Sequence, residues 1–184
     1  MNRSEFVYYA MPLVVLVAAL LQSTVATELT IRNVKPDFVL IVVIMATLIY
    51  GGRGGLIWAF IGGIGLDIFS GGPFGASSLA LMPAALIAAL GHRVLSRYNL
   101  LVPLGATGLG TLIYGLLYIG LLSFLRAVGD LPLLAGLTIP RHTLPFGSTL
   151  QQVVIPAMIY NTTLVLFATP LLNRVPEQQT DNRY

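Results

Sequence analysis

The sequence predicts an all-α integral membrane protein, a bundle of six transmembrane helices, and three observations carry that prediction. Charged residues make up only 9% of the 184 and hydrophobic residues 56%, with a mean hydropathy of +0.85. A soluble domain carries roughly 25% charged residues. The apolar residues fall into six runs separated by glycine-, proline- or charge-bearing breaks, and arginines gather at the ends of the runs rather than within them. No stretch outside the runs is long enough for a separate soluble domain. Residues 1–174 are therefore expected to form one membrane domain, and 175–184 a polar, flexible cytoplasmic tail.

The first run, 6–25, has about the 20 residues that cross a hydrocarbon core. Thr24-Val25-Ala26 faintly resembles a signal cleavage site, but the apolar stretch is too long for a typical signal, so it reads as an uncleaved helix. The second and third runs, 37–50 and 56–69, flank Gly51-Gly52-Arg53-Gly54-Gly55. Each would reach only about 21 Å as a helix, so either their ends extend or the bilayer thins. A re-entrant hairpin is the competing reading; it would put Arg53 deep in lipid at a cost of a few kcal/mol, which favours two short crossings. The remaining runs are 75–90, 100–125 and 150–172. Six crossings place Arg3, Arg53, Arg93, Arg97, Arg174 and Arg183 on one side, and Arg32, Lys35, Arg126 and Arg141 on the other. The positive-inside rule then sets both termini in the cytoplasm. Tyr8, Tyr9, Tyr50, Tyr98 and Tyr118 lie near run ends, as an interfacial aromatic belt requires. The outer loop 126–149, with Pro132, Pro140 and Pro145 among several leucines, is expected on the outer interface or over the bundle.

Several chemistries are excluded or disfavoured. There are no cysteines, hence no disulfide, thiolate metal site or cysteine nucleophile. The formal charge of +3 is dispersed over segment ends and offers no basic run to grip nucleic acid. His92 and His142 fall on opposite sides of the predicted membrane, so they share no metal, and each reads as a surface histidine. The glycine cluster 51–55 lacks the lysine and hydroxyl of a phosphate loop. No serine occupies a nucleophile elbow. The expectation is a protein with no catalytic, cofactor or metal residues.

The informative residues lie on the third run. Gly51, Gly55, Ala59, Gly63, Asp67 and Gly71 recur every four positions and share one helix face. A small-residue strip lets a neighbouring helix approach closely, whereas an intramembrane carboxylate demands a partner. Asp67 precedes the turn Ser70-Gly71-Gly72-Pro73-Phe74-Gly75. Three roles are open to it: proton or cation relay, ligand for a substrate, or a pin accepting hydrogen bonds from the first turn of the next helix. The pin ranks first. Gln22, with Ser23 and Thr24, forms the polar cluster expected at a comparable level, and is a candidate partner. A second strip, Thr107, Thr111 and Gly115, with Gly105, Gly108 and Gly110 nearby, either packs internally or offers a groove to a foreign helix.

The order Leu21-Gln22-Ser23-Thr24, then Lys35-Pro36-Asp37-Phe38, then Gly65-Leu66-Asp67 running into Gly71-Gly72-Pro73-Phe74-Gly75, resembles the rod shape-determining MreD family. Length, the six runs and the polar tail agree with it. The resemblance implies a fold similar to the substrate-binding subunits of energy-coupling-factor transporters. It also implies a non-enzymatic scaffold of the bacterial cell-elongation machinery in the inner membrane. MreC would be its partner, with RodA and its class B penicillin-binding protein beyond, MreB on the cytoplasmic side, and membrane lipid around. Under that resemblance Gln22, Pro36, Asp37, Gly55, Ala59, Gly63, Asp67, Gly71, Gly72, Pro73 and Gly75 are expected to be structural or partner-binding residues. The alternative is a substrate-binding subunit of such a transporter. Asp67, Gln22, Asn161 and a few hydroxyls are a thin set for a hydrophilic ligand, and the Ala-x-x-x-Ala docking strip of those subunits is missing from the first run.

Overall fold

The computed structural model of the protein describes residues 3–29, 34–92, 100–129 and 146–172. The tail 175–184, His142, Arg93, Arg97, Tyr98 and most of the expected outer loop lie outside the described residues. The described chain is helical: α1 (Arg3–Glu28), α2 (Phe38–Tyr50), α3 (Gly52–Ser70), α4 (Ala76–His92), α5 (Leu101–Gly129), then α6 (Phe146–Thr149) leading through a π segment (Leu150–Val154) into α7 (Ile155–Leu172). Four stretches are long and apolar enough to cross a membrane, namely Val7–Val25, Gly52–Ser70, Leu101–Leu125 and Phe146–Thr169; Phe38–Tyr50 and Ala76–His92 are shorter.

The glycine cluster behaves differently from the expected loop. Gly51 alone, at φ 92°, reverses the chain, and Gly52–Gly55 are already the first turn of α3. A positive φ is cheap only for glycine, so one residue suffices for the turn. Gly51 N–H donates to the Thr47 carbonyl at 2.9 Å and Gly55 N–H to the Gly51 carbonyl at 3.2 Å, which leaves little turn between the helices. The third run is thereby 19 residues long rather than 14, and its expected shortfall disappears. At 13 residues α2 stays short, about 20 Å.

The short helix is the buried one. Val39, Leu40, Val43, Ile44, Met45, Ala46, Thr47 and Leu48 of α2 are all buried, and the helix packs against α1, α3, α4 and α5. A helix covered on every face needs no amphipathic pattern, and α2 has none. The long helices α1 and α5 keep most of their surface outside, as lipid-facing helices of a bundle do.

Close packing depends on missing side chains at particular positions. A Cβ on Gly55 would run into Thr47, and one on Gly63 into the backbone of Ser78. A Cβ on Gly110 would strike Ile44, and one on Gly115 would strike Val154. The Gly55, Ala59, Gly63, Asp67 strip is thus consumed inside the fold, against α2 and α4, and is not an outer groove. Ser78 Oγ–H donates to the Phe60 carbonyl at 2.9 Å across the α3–α4 contact.

The last helix breaks regularity for a local reason. Pro156 has no N–H and its ring crowds the carbonyl one turn back. The chain responds with the π segment, in which Ile155 N–H reaches the Leu150 carbonyl, five residues earlier.

Several of the tyrosines near run ends make ring contacts inside the bundle. Tyr50 meets Trp58 edge-on at 5.9 Å, with Tyr8 tilted against the same indole at 6.0 Å. Tyr118 stacks on Tyr114 at 5.8 Å, with its hydroxyl beside Gly72 of the α3–α4 turn.

Candidate functional site

Two carboxylates organise the polar interior. Asp67 is 3% exposed on the last turn of α3. Its Oδ2 accepts from Gly75 N–H at 2.7 Å, and both carboxylate oxygens accept from Ser77 N–H, at 3.2 and 3.3 Å. The backbone makes this possible. Gly71 at φ 68° ends α3 with its N–H on the Asp67 carbonyl at 3.1 Å, and Gly75 at φ 88° aims the first amides of α4 back at the carboxylate. Pro73 shapes the turn between, its carbonyl accepting from Ala76 N–H at 3.1 Å. Gly72 packs closely under Tyr118: a Cβ there would sit 3.2 Å from the hydroxyl. The first amides of a helix lack in-helix acceptors and carry the positive end of its dipole, so a carboxylate is their best partner.

Asp37 caps α2 in another way. Its Oδ1 accepts from Leu40 N–H at 3.0 Å, a local N-cap. Its own N–H donates to Asn161 Oδ1 of α7 at 3.0 Å, and Asn161 Nδ2 donates to Thr111 Oγ1 of α5 at 3.2 Å. Thr111 donates in turn to the Thr107 carbonyl at 2.8 Å. From α1, Gln22 offers its amide to the Asp37 carboxylate and takes Val39 N–H on Oε1 at 2.9 Å. Pro36 is buried directly before the cap, and a proline there holds the preceding chain extended. Asp37 is thus the point at which α1, α2, α5 and α7 are joined.

Gln22 therefore serves Asp37 and not Asp67. Ser23 and Thr24 turn back onto the Leu20 carbonyl of their own helix at 2.9 and 2.8 Å. Between the two knots stand Tyr114 and Tyr118: Tyr114 lies beside Ser77 and within electrostatic reach of both carboxylates.

The depth of the Asp37 knot follows from its partners. Thr111 is ten residues past Leu101, which is about 15 Å along α5. α2 thus starts part-way along the bundle, not at its end. Asp67 lies 15 residues past Gly52, about 22 Å along α3.

Two residues carry roles that their sequence context hides. Asn161 closes the Asp37 knot from 124 residues away. His92 is exposed, yet its Nδ1 is 2.6 Å from the Leu48 carbonyl, so it caps the last turn of α2 from the end of α4. Trp58 Nε1 and Thr107 Oγ1 are buried without a hydrogen-bond partner among the described residues. The described residues hold no group of three or more His, Cys, Asp or Glu placed for a metal ion.

Residues 2–130 match the family model described as rod shape-determining protein MreD. The chain belongs to the MreD family. It is accordingly a membrane protein of rod-shape determination, from a family associated with the MreB and MreC shape machinery. That family and four membrane-length helices place it in the bacterial inner membrane. No curated protein and no solved structure gives a significant match. The matched residues include both carboxylates, Gln22 and Thr111, whereas Asn161 lies beyond them.

Proposed function

We propose that this chain is a non-enzymatic scaffold of the cell-elongation machinery, a six-crossing bundle that binds MreC and so helps to organise wall synthesis by RodA and its class B penicillin-binding partner. MreB is reached indirectly or from the cytoplasmic side. Both termini lie in the cytoplasm under this reading, with Gln22, Asp37 and the Asp67 turn on the outward half. The fold is similar in kind to the substrate-binding subunits of energy-coupling-factor transporters, without their task.

One observation supports the scaffold most: both carboxylates are engaged with backbone amides of neighbouring helix ends. A relay needs a carboxylate that exchanges partners, and a ligand site needs polar groups left over to converge on a substrate. Here the polar groups set helix ends. Gly55, Ala59 and Gly63 keep α3 close to its neighbours, Gly71, Gly72, Pro73 and Gly75 form the turn, and Pro36 leads into the Asp37 cap.

Affinity purification of the tagged full chain in mild detergent tests the reading. Recovery of MreC, with or without the wall synthases, is the expected result. Recovery of transporter ATPase subunits in its place would overturn it.

A further inference from the structure

The central helix α2 has one stripe that its neighbours cover less than the rest. Val39, Leu40, Val43, Ile44, Thr47 and Leu48 are at most 1% exposed. Phe38, Ile41, Val42 and Ile49 are only part-buried, and Met45 among them is 7% exposed. Positions 38, 41, 42, 45 and 49 follow helical spacing and form one face. The other faces are accounted for. Val39 and Thr47 sit against Gly62 and Gly55 of α3, Leu48 against Gly91 of α4, and Ile44 against Gly110 of α5. The remaining sector lies between α5 and α1, where α7 stands. Among the described residues α7 packs along α5 and has no extended contact with α1, α2, α3 or α4. Two hydrogen bonds tie it across: Asp37 N–H to Asn161 Oδ1 at 3.0 Å, and Tyr160 O–H to the Leu29 carbonyl at 3.2 Å. The described residues show no such bond near Gly51. An apolar groove results, floored by α2 and closed by polar bonds at its Asp37 end.

The dimensions of the groove select its occupant. Ile49 is 11 residues past Phe38, which is about 16 Å along α2. One leaflet of a bilayer's hydrocarbon core is about 15 Å deep, so the floor has the length of one acyl chain. Its width is also that of a chain. Side chains that face the bilayer freely are far more open, with Leu13 at 66% and Phe167 at 72% exposure, whereas the walls part-cover the floor. A docked helix would need a floor open enough for an axis roughly 8–10 Å away. Every floor side chain is apolar, so none asks for water or a hydrogen-bonding partner. A narrow apolar gap left empty forfeits dispersion contacts, and in a membrane the molecule at hand to supply them is lipid hydrocarbon.

We infer that the groove between α1 and α7, floored by Phe38, Ile41, Val42, Met45 and Ile49, holds one acyl chain of a phospholipid from the leaflet on the Gly51 side. The site is independent of which protein the chain binds. The full chain is placed in nanodiscs of phosphatidylethanolamine and phosphatidylglycerol, with a trace of phospholipid carrying a diazirine on one acyl chain. After illumination the labelled residues are mapped by mass spectrometry. A diazirine at the chain tip should label Phe38 and Ile41, and one next to the glycerol should label Ile49. Val42→Phe narrows the groove. A folded Val42→Phe chain, with its melting temperature kept, should lose the α2 labels while Leu13 and Phe167 keep theirs. Labels confined to outward residues such as Leu13 and Phe167 would overturn the inference. So would the reverse order of labels along α2, or undiminished α2 labelling of folded Val42→Phe. If that variant does not fold, the two label positions on the unsubstituted chain decide alone. The chain has no cysteine, so a Val42→Cys chain that forms disulfide-linked pairs in oxidised membranes would put a second copy, not lipid, in the groove and overturn it as well.

Discussion

Asp67 and Asp37 are both acids at helix ends, and they hold the fold at different ranges. Every hydrogen bond to the Asp67 carboxylate comes from within ten residues, across one turn. The Asp37 knot draws on Gln22, Asn161 and Thr111, up to 124 residues away, and joins four helices. The first is a hinge pin between neighbours; the second is the fastening of the whole bundle. A membrane protein cannot count on the hydrophobic effect to bring its helices together in lipid. Local polar caps set its turns, and a few long-range bonds select which helices meet.

The largest effect should come from steric closure at the α3–α4 contact that the Asp67 turn serves. Gly63→Leu drives a side chain into the Ser78 backbone, and overpacking of this kind costs about 3 kcal/mol or more. Loss of folded protein in detergent, read by fluorescence size-exclusion, is the expected outcome. Next come the knots themselves. Asn161→Ala strips the Asp37 N–H and Thr111 of their partner in the bundle interior, for about 2 kcal/mol. Gln22→Ala should be non-additive with it, because both act through Asp37, whereas Asn161→Ala and Asp67→Ala should add within about 0.5 kcal/mol. Thermal melts of the single and double variants measure both cycles, and strong coupling between Asn161 and Asp67 would merge the two knots into one. Gly71→Ala tests the turn alone: space is free around it, but φ is 68°, so about 1 kcal/mol is expected. Smallest is Gly120→Ala on α5, where nothing lies within 4 Å and φ is ordinary. It should be neutral or stabilising by up to about 1 kcal/mol.

The same contrast marks what could be read from the amino-acid order. The Asp67 bonds were legible because a carboxylate, a glycine-proline turn and the next helix are adjacent in sequence, and capping is local chemistry. The α2–α3 connection was less so. Four glycines and an arginine read as a loop, and only the packing of Gly55 on Thr47 shows why residues 52–55 belong to the helix. Asn161 could be seen as a polar residue in an apolar run, but nothing near it points to Asp37, since that pairing is set by how α7 lies against α2 and α5. The π segment did have a local sign in Pro156.

The central claim, that the intramembrane acids are architecture, is tested most directly at Asp67. Asp67→Asn keeps the shape, removes the charge that accepts from two helix-end amides, and should cost about 1.5–3 kcal/mol. The account predicts a lower melting temperature in detergent, with the fraction that remains folded capturing MreC as well as the unsubstituted chain. An unchanged melting temperature together with lost capture would contradict it, and would make Asp67 a contact residue.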